Sequence, residues 1–391
     1  MKKQKVGIIG GGLSGLITAL CLARHDIEVD LVCDIINFKK RNSRTIALSQ
    51  SSLNFLKKIN FKKFSKKDFW SCSKMKLYSK NDKKESKEIF ELEKDKLENK
   101  ILYMIENWKI QDYMLKSIKK NKLISLKTRH KIKNIISNGF LSSLKSDINL
   151  NSNYNLLIVC TGSNSNLVNY FFNDSIYEHP YEETSITTII KHEKVKNNVA
   201  RQVFLDDEIL ALLPLSKTKT SIVLSTKNTL IKKYKNDIQF FKKKIEEYSN
   251  NFYKKIKFEA SVEYRDLNFK LYKKYFTNRV LLFGDALHVV HPFAGQGYNM
   301  VLRDLETLEK VIENKISLGL DIGSLDTLYD FSQKVKATNS VYSFGIDFLK
   351  KIFSFKEKPI KEFRNKVLTL INKNNLSKDF FYNIADKGLK F

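Results

Sequence analysis

Two glycine-rich stretches, one near the start of the chain and one late in it, hold the residues best suited to chemistry. Gly10-Gly11-Gly12-Leu13-Ser14-Gly15 follows the short β-rich run Val6-Gly7-Ile8-Ile9. In a G-x-G-x-x-G turn between a strand and a helix, the first glycine permits the tight turn. The second lets the backbone approach a pyrophosphate, and the third lets helix and strand pack closely. Gly10, Gly12 and Gly15 take these positions, and Ser14 joins them as a candidate contact. The helix that follows offers unpaired N–H groups and a partial positive charge to phosphates. An acid at the end of the second strand, about 20 residues on, ordinarily binds a ribose. Here Cys33 follows that strand and the acid comes one residue later, at Asp34. Asp34 either reaches the ribose from a shifted position or leaves that contact unmade. The motif alone leaves NAD and FAD both open.

The second stretch runs from Asn278 to Asp304. Arg279-Val280-Leu281-Leu282-Phe283 reads as a buried strand ending in Gly284-Asp285-Ala286. It is followed by His288, His291-Pro292, Ala294-Gly295-Gln296-Gly297 and Asn299, with an amphipathic helix expected from Met300. An acid at the carboxyl end of a strand, then a proline and Gly-x-Gly before a helix, makes a place for a polar ligand. Glycines there remove side chains where a flat ring system could lie against the backbone.

The elements that must position these residues are legible nearby. Leu16 to Arg24 has helical character, and Ile27 to Val32 is a second β-rich run, so the N-terminus reads strand, turn, helix, strand. Met1-Lys2-Lys3 before an apolar run could suggest a signal peptide, but five glycines between positions 7 and 15 favour the nucleotide-binding reading. No stretch reaches about 18 uninterrupted apolar residues, so no spanning helix is expected.

Composition narrows the class. The 391 residues carry 70 Lys+Arg against 42 Asp+Glu, a net charge of +28, with 42% hydrophobic residues. That apolar fraction excludes global disorder, and 4 Pro with 14 Gly exclude collagen-like and proline-rich classes. Cys21, Cys33, Cys72 and Cys160 form no CxxC or zinc-like spacing, which fits a reducing cytoplasm. The basic excess is mostly Lys, scattered along the chain. Arg is the residue that reads phosphate and base edges bidentately, so no nucleic-acid partner is expected. His288 and His291 sit three apart without a carboxylate or histidine cluster to complete a site, so no metal is expected either. Lysine runs such as Lys232-Lys233 and Lys242-Lys243-Lys244 read as solvated helix faces, and Cys160 as a core thiol.

Gly284-Asp285-Ala286, His288, His291-Pro292, Ala294-Gly295-Gln296-Gly297 and Asn299 together resemble the second FAD motif of the class A flavoprotein aromatic hydroxylases, the p-hydroxybenzoate hydroxylase-like family. The form is closest to the branch that hydroxylates ubiquinone precursors, of the 2-octaprenyl-6-methoxyphenol hydroxylase type. Asn42-Ser43-Arg44-Thr45-Ile46-Ala47-Leu48-Ser49 resembles the family's Arg-containing segment after the second strand. Tyr103 to Gln111 resembles its flavin-side helix, and Ala211-Leu212-Leu213-Pro214-Leu215 its substrate-sheet motif. The resemblance covers nearly the whole chain in order. It implies that Gly10, Gly12 and Gly15 hold the FAD pyrophosphate and that Asp285 bonds the ribityl chain. Pro292, Gly295, Gln296 and Gly297 would border the isoalloxazine ring, with Asn299 nearby, and Arg44 and Gln111 would be further FAD contacts. It implies a monooxygenase that uses dioxygen, through a flavin C4a-hydroperoxide, to hydroxylate a polyprenylated phenol of ubiquinone biosynthesis. NAD(P)H or another donor would reduce the flavin transiently, and no side-chain base is obligatory.

The sequence departs from the family in places. Thr161 stands where an Asp is expected, Val168 where an Arg commonly follows, and Cys33 where a Glu is usual. These departures motivate one alternative, a flavin-poor structural subunit of a quinone-synthesis complex; a non-hydroxylating FAD reductase or oxidase on the same fold is another. The expected fold class is α/β: a Rossmann-like, three-layer FAD-binding domain on a parallel sheet, with an interleaved antiparallel-sheet substrate domain and C-terminal helices. Residues 1–70, 98–165 and 270–330 would form the first domain, 71–97 and 166–269 the second, and 331–391 a helical region. In that last region Phe344, Phe348, Leu349, Ile352 and Phe353 form one stripe flanked by lysines. Its expected partner is the protein body or a second subunit, as in a homodimer, or alternatively a membrane surface on the cytoplasmic side of the inner membrane.

Overall fold

The computed structural model describes residues 3–34, 42–59, 68–80, 86–93, 100–137, 139–146, 152–162, 165–172, 175–205, 207–355, 357–374, 379, 382–384 and 386. Its first sheet is built from apolar runs far apart in sequence. In spatial order it runs β19 (Phe276–Thr277), β20 (Val280–Leu282), β12 (Leu156–Val159), β1 (Lys5–Ile9), β2 (Glu28–Val32) and β8 (Ile124–Lys127). All neighbours pair in parallel except β19 with β20. Leu156 to Val159 and Val280 to Leu282 are continuously apolar because both faces of a parallel sheet are covered. Helix α1 (Leu13–Leu22) packs on α3 (Asn107–Lys120) and on α7 (Gly297–Ser317).

A second, larger sheet runs β21 (His288–Val289), β18 (Glu263–Tyr272), β13 (Ile176–Lys191), β16 (Lys219–Lys227), β15 (Glu208–Pro214), β14 (Val199–Phe204), β5 (Lys74–Lys80) and β6 (Ser86–Glu93), with β17 (Lys257–Phe258) paired to β13. It is antiparallel apart from the β14–β5 pair. Within the range 71–97 expected in the second domain, residues 86–93 enter this sheet as β6, while 81–85 and 94–99 lie outside the described residues. Helices α5 (Asn228–Asn236) and α6 (Ile238–Ser249) cover one face through Ile231, Tyr234, Phe241 and Ile245. Their lysines do lie on the solvent side: Lys233 and Lys244 sit over the Phe240 ring, with their stems along apolar surface.

Two smaller three-stranded sheets complete the strands: β3 (Thr45–Leu48), β7 (Leu102–Glu106) and β4 (Trp70–Cys72), and β9 (Ile132–Ser137), β10 (Ser142–Ser146) and β11 (Asn153–Tyr154). The remaining helices are α2 (Gln50–Lys58), α4 (Asn166–Phe172), α8 (Leu325–Ser354) and α9 (Lys358–Lys373).

Buried charges tie these layers together. Asp30 of β2 accepts from Tyr154 Oη at 2.9 Å and meets Lys5 at 3.0 Å and Lys127 at 2.8 Å. Burial works to raise its pKa, but these partners hold it below the ordinary carboxylate value. Glu309 of α7, fully buried, meets Arg24 at 2.7 Å, His25 at 3.2 Å and Lys58 of α2 at 3.0 Å. A carboxylate at that depth is tolerated because three donors surround it.

Candidate functional site

The first glycine turn closes on itself. Gly10, at φ +120°, donates its N–H to Val32 O at 2.8 Å, so the ends of β1 and β2 are joined beneath the helix. A Cβ on Gly10 would lie 2.4 Å from Cys160 O, and one on Gly15 would lie 1.9 Å from Gly10 O. Neither position accepts a side chain. Gly12 differs: a Cβ there would meet nothing within 4 Å. Gly12 is the N-cap of α1, with no side-chain cap and no acidic residue in the first turn. The helix start thus presents bare backbone N–H groups to open space, as a diphosphate requires.

The second motif is seated on the first. Strand β20 delivers Gly284 at φ +66°, and a Cβ on it would fall 2.4 Å from Ser14 Oγ. Ser14 belongs to the first turn of α1, so the two glycine stretches touch there. Asp285 follows in a 3-10 turn, half-exposed, with Arg265 at 3.6 Å. Arg44 is close enough to Asp285 to interact with it electrostatically, and its Nε lies 3.8 Å from Glu263. Burial and the neighbouring Arg265 charge lower the Arg44 pKa from its ordinary value. Arg44 O accepts from Asn107 N at 2.9 Å, at the start of α3, the helix that carries the half-buried Gln111.

Beyond Asp285 the chain turns twice before α7. His288 and His291 point to different partners rather than to a common centre. His288 Nε2 meets Asp304 at 2.8 Å, and His291 Nε2 meets Glu183 at 3.2 Å. Helix α7 begins at Gly297, three residues before the expected Met300, because Gly297 takes the first helical position without interrupting the turn. Pro292 is exposed, and Gly295, at φ +64°, packs against Ala47. Asn299 is fully buried and its amide is spent on backbone: it donates to Ala47 O at 3.0 Å and Gly295 O at 3.3 Å and accepts from Ser49 N at 3.0 Å. It braces β3 and α2 against the Pro292–Gly297 turn.

Gln296 is buried and its Oε1 has no hydrogen-bond partner. It faces a cavity of about 50 Å³ whose other walls include Ser49, Met75, Leu92, Leu102 and Tyr382. An unsatisfied buried acceptor is a group that a ligand can satisfy. Together with the open space at Gly12 and Gly297, where an added Cβ again meets nothing within 4 Å, it fits a long ligand running from α1 to the Pro292 turn.

Asp34 lies half-exposed past the end of β2, its O accepting from Arg129 N at 2.7 Å and its carboxylate 3.9 Å from Lys131. Cys33 is buried, and burial pushes its thiol up to about 11. Cys160 is buried at the end of β12, and burial raises its pKa as well, so both behave as core thiols. Gly162, at φ +84°, follows Thr161 with open space on its Cβ side.

Some functional surroundings escaped the sequence reading. Tyr382 and Asp386, late in the chain, line the cavity, and Asp386 accepts from Ser51 N at 2.8 Å and Ser51 Oγ at 3.0 Å. Nothing in their spacing marked them. Glu183 did leave a signal, a carboxylate immediately before the β-rich run Thr184 to Ile190.

Residues 3–317 match the family described as an FAD binding domain. Among curated proteins, the chain is 27% identical over 215 residues to the mitochondrial ubiquinone biosynthesis monooxygenase COQ6 of Danio rerio, covering 46% of this chain and 44% of that protein. It is 27% identical over 239 residues to COQ6 of Homo sapiens, covering 52% and 51%. The chain spans about half the length, or less, of the curated relatives it matches. Among solved structures, p-nitrophenol 4-monooxygenase PnpA from Pseudomonas putida superposes with a TM-score of 0.78 at 13% identity, covering 100% of this chain and 99% of that one. HpxO of Klebsiella pneumoniae, complexed with FAD and uric acid, superposes at 0.76 and 12% identity, covering 98% and 97%. These likenesses are of fold. The family match takes in the larger part of the chain and both glycine stretches: the chain belongs to the FAD-binding family of the class A flavin monooxygenases, and its cofactor is FAD.

Proposed function

We propose that this chain is an FAD-dependent monooxygenase that hydroxylates the aromatic ring of a polyprenylated phenol in ubiquinone biosynthesis. The observation that carries the proposal is the seating of Gly284 on Ser14, which brings the two glycine stretches into contact. The naming of the curated relatives as ubiquinone biosynthesis monooxygenases supports the choice of pathway.

In this reading the N–H groups at the start of α1 hold the diphosphate, with Gly10, Gly12, Ser14 and Gly15 shaping the turn. Asp285 accepts hydrogen bonds from the ribityl hydroxyls. Arg44 and Gln111 flank the groove, and Asp34 stands at its ribose end. Pro292, Gly295, Gln296 and Gly297 border the flavin ring, with Asn299 holding their turn in place. Bound FAD supplies the redox chemistry, accepting electrons from a donor such as NAD(P)H and activating dioxygen. The protein binds, orients and excludes water. Met75, Leu92 and Leu102 make an apolar wall for the phenol, and the unsatisfied Gln296 Oε1 offers its hydroxyl an acceptor. A phenol supplies its own electron density, so no side-chain base is assigned.

The same reading divides the chain into a discontinuous cofactor domain (1–70, 98–165, 270–330), a substrate sheet (71–97, 166–269) and a helical region (331–391). It places the enzyme in the cytoplasm, at the membrane that holds its substrate. Among the described residues, no helix is long and apolar enough to cross a membrane.

The test is direct. Purified protein should be yellow, and with a competent reductant it should incorporate label from dioxygen into a prenylphenol. Yellow protein that turns over without incorporation would point to a reductase or oxidase. Colourless protein that cannot take up added FAD would point to a structural subunit, the reading motivated by Thr161, Val168 and Cys33.

A further inference from the structure

We propose that the outer face of α8 and α9 is a docking surface for an anionic lipid bilayer. The proposal rests on the polyprenylphenol reading only for its purpose, since the surface itself is argued from these two helices.

The stripe expected near Phe344 splits on folding. Phe353 turns inward and stacks on Phe204 with ring centroids 3.8 Å apart, while Phe348 is 62% exposed. Val341 and Phe348, seven residues apart, lie on the α8 side away from Ile346 and Phe353, and the exposed Phe355 follows seven residues on, just past the helix end; Phe344 instead meets Phe269 and Tyr177 of the larger sheet, with ring centroids 5.6 Å and 5.4 Å apart. Helix α9 repeats the pattern. Its body side carries the buried Arg364, whose guanidinium lies over the Phe353 ring at 4.6 Å, and Leu368, which packs in the same cluster. Four further apolar residues, Ile360, Phe363, Val367 and Leu370, occupy one stripe and face solvent, Phe363 at 70% and Leu370 at 66% exposure, while Ile371 is half-buried. Single exposed apolar residues are ordinary; two consecutive helices that both turn large apolar side chains outward are not.

Charge selects the occupant. Within α9 the sequence holds five basic residues against one acid, Glu362, and the exposed Lys366 and Lys373 lie on the polar side of the stripe. An apolar stripe edged by lysines is the pattern of a helix lying in a membrane interface, its cations among anionic headgroups. A second copy of the chain fits less well. A two-fold contact sets a patch against itself, bringing Lys366 and Lys373 towards their own copies in a chain of net charge +28.

Position agrees with charge. α9 packs along β6, where Glu91 N donates to Asn372 Oδ1 at 3.1 Å. The next residue, Leu92, is a wall of the Gln296 cavity. A surface seated on α9 is therefore one strand away from the chamber in which a lipid-tailed phenol would react.

The experiment is sedimentation of the full-length FAD-loaded chain with vesicles of phosphatidylcholine alone and of phosphatidylcholine mixed with phosphatidylglycerol, none containing a phenol. Wild type should sediment with the anionic vesicles, less so at high salt, and remain in solution with the neutral ones. The double variant Phe363→Ser, Leu370→Ser should bind anionic vesicles about a hundredfold more weakly, about tenfold for each apolar side chain removed. Its FAD content and melting temperature should be unchanged. The proposal is overturned if wild type ignores anionic vesicles or if the double variant binds them equally well. It is also overturned if wild type is a dimer in solution that the double variant converts to monomer. Because the vesicles carry no substrate, a failure of hydroxylation leaves this result standing, and the reverse also holds.

Discussion

Nε2 of His291 lies 3.2 Å from Oε2 of Glu183, which fastens the residue before the Pro292 turn to a bulge in β13. Phe293 N–H donates to His291 Nδ1 at 3.2 Å, leaving Nε2 to carry the proton and donate to Glu183. The other Glu183 oxygen meets Lys350 of α8 at 2.7 Å. One carboxylate therefore joins the Pro292 turn, the larger sheet and the C-terminal helices.

This junction sets a pH dependence. Burial lowers the His291 pKa from its ordinary 6.5, with Glu183 opposing and Lys350 assisting. A histidine kept neutral by the fold costs nothing above pH 6.5. Below it the unfolded chain takes up the proton more readily, so stability falls as pH falls through that value. Burial would raise the Glu183 pKa, but hydrogen bonds from His291 and Lys350 hold it below 4.5, so its contribution is lost only as pH drops further. Melting temperature should decline from pH 7 to pH 5, and His291→Gln should flatten that decline. Glu183→Gln should cost about 3 kcal/mol, because Lys350 is left buried without a counter-charge.

The glycines of the first turn should separate folding from cofactor binding. Gly15→Ala forces a Cβ to 1.9 Å from Gly10 O and should destabilise the protein by about 3 kcal/mol. Gly12→Ala meets no protein atom within 4 Å, and at φ −77° it suffers no backbone strain. It should cost about 1 kcal/mol, as alanine does at an N-cap, yet its methyl occupies the space assigned to the diphosphate. Thermal melting of the apoprotein beside FAD titration should show the fold kept and the affinity reduced.

Asp285 and Asp34 make a contrasting pair. Asp285 sits on the turn that abuts Ser14, whereas Asp34 lies beyond the end of β2 near Lys131. Asp285→Ala should weaken FAD binding at least tenfold, the worth of about 1.5 kcal/mol for a charge-assisted hydrogen bond. Asp34→Ala should weaken it less. Quenching of flavin fluorescence on titration into apoprotein reads both.

At the far end of the chain, Asp386 accepts from Ser51 N and Ser51 Oγ in the first turn of α2. A carboxylate there complements the helix dipole and satisfies an otherwise unpaired N–H. Asp386→Ala should lower stability by about 1 kcal/mol. It should also loosen the Tyr382 side of the cavity, raising KM more than it lowers kcat.

Much of this architecture was written in local pattern. The continuous apolar runs at Leu156 and Val280 and the glycine turn after β1 identify parallel strands and a nucleotide helix because period and turn chemistry are short-range properties. The β-branched-rich run Ser185–Ile190 likewise marks a sheet strand, buried on both faces. The contact of Gly284 with Ser14, the brace formed by Asn299 and the reach of Asp386 to α2 were not legible, because each joins residues hundreds of positions apart and leaves no trace in spacing. The stripe around Phe344 shows the limit within a single helix: periodicity groups its residues, but only packing against Phe204 decides that Phe353 faces inward while Phe348 does not.

The order of strands in the first sheet has a consequence for biosynthesis. β1 needs β12 beside it, and β12 needs β20, so the platform beneath the cofactor stays incomplete until Leu282 has emerged from the ribosome. Until then β12 exposes an apolar edge with no neighbour on that side, a liability for aggregation during synthesis. The contact of Gly284 with Ser14 likewise forms only after most of the polypeptide exists, which makes completion of the FAD-binding fold a late event and a natural checkpoint on whether the newly made chain is sound.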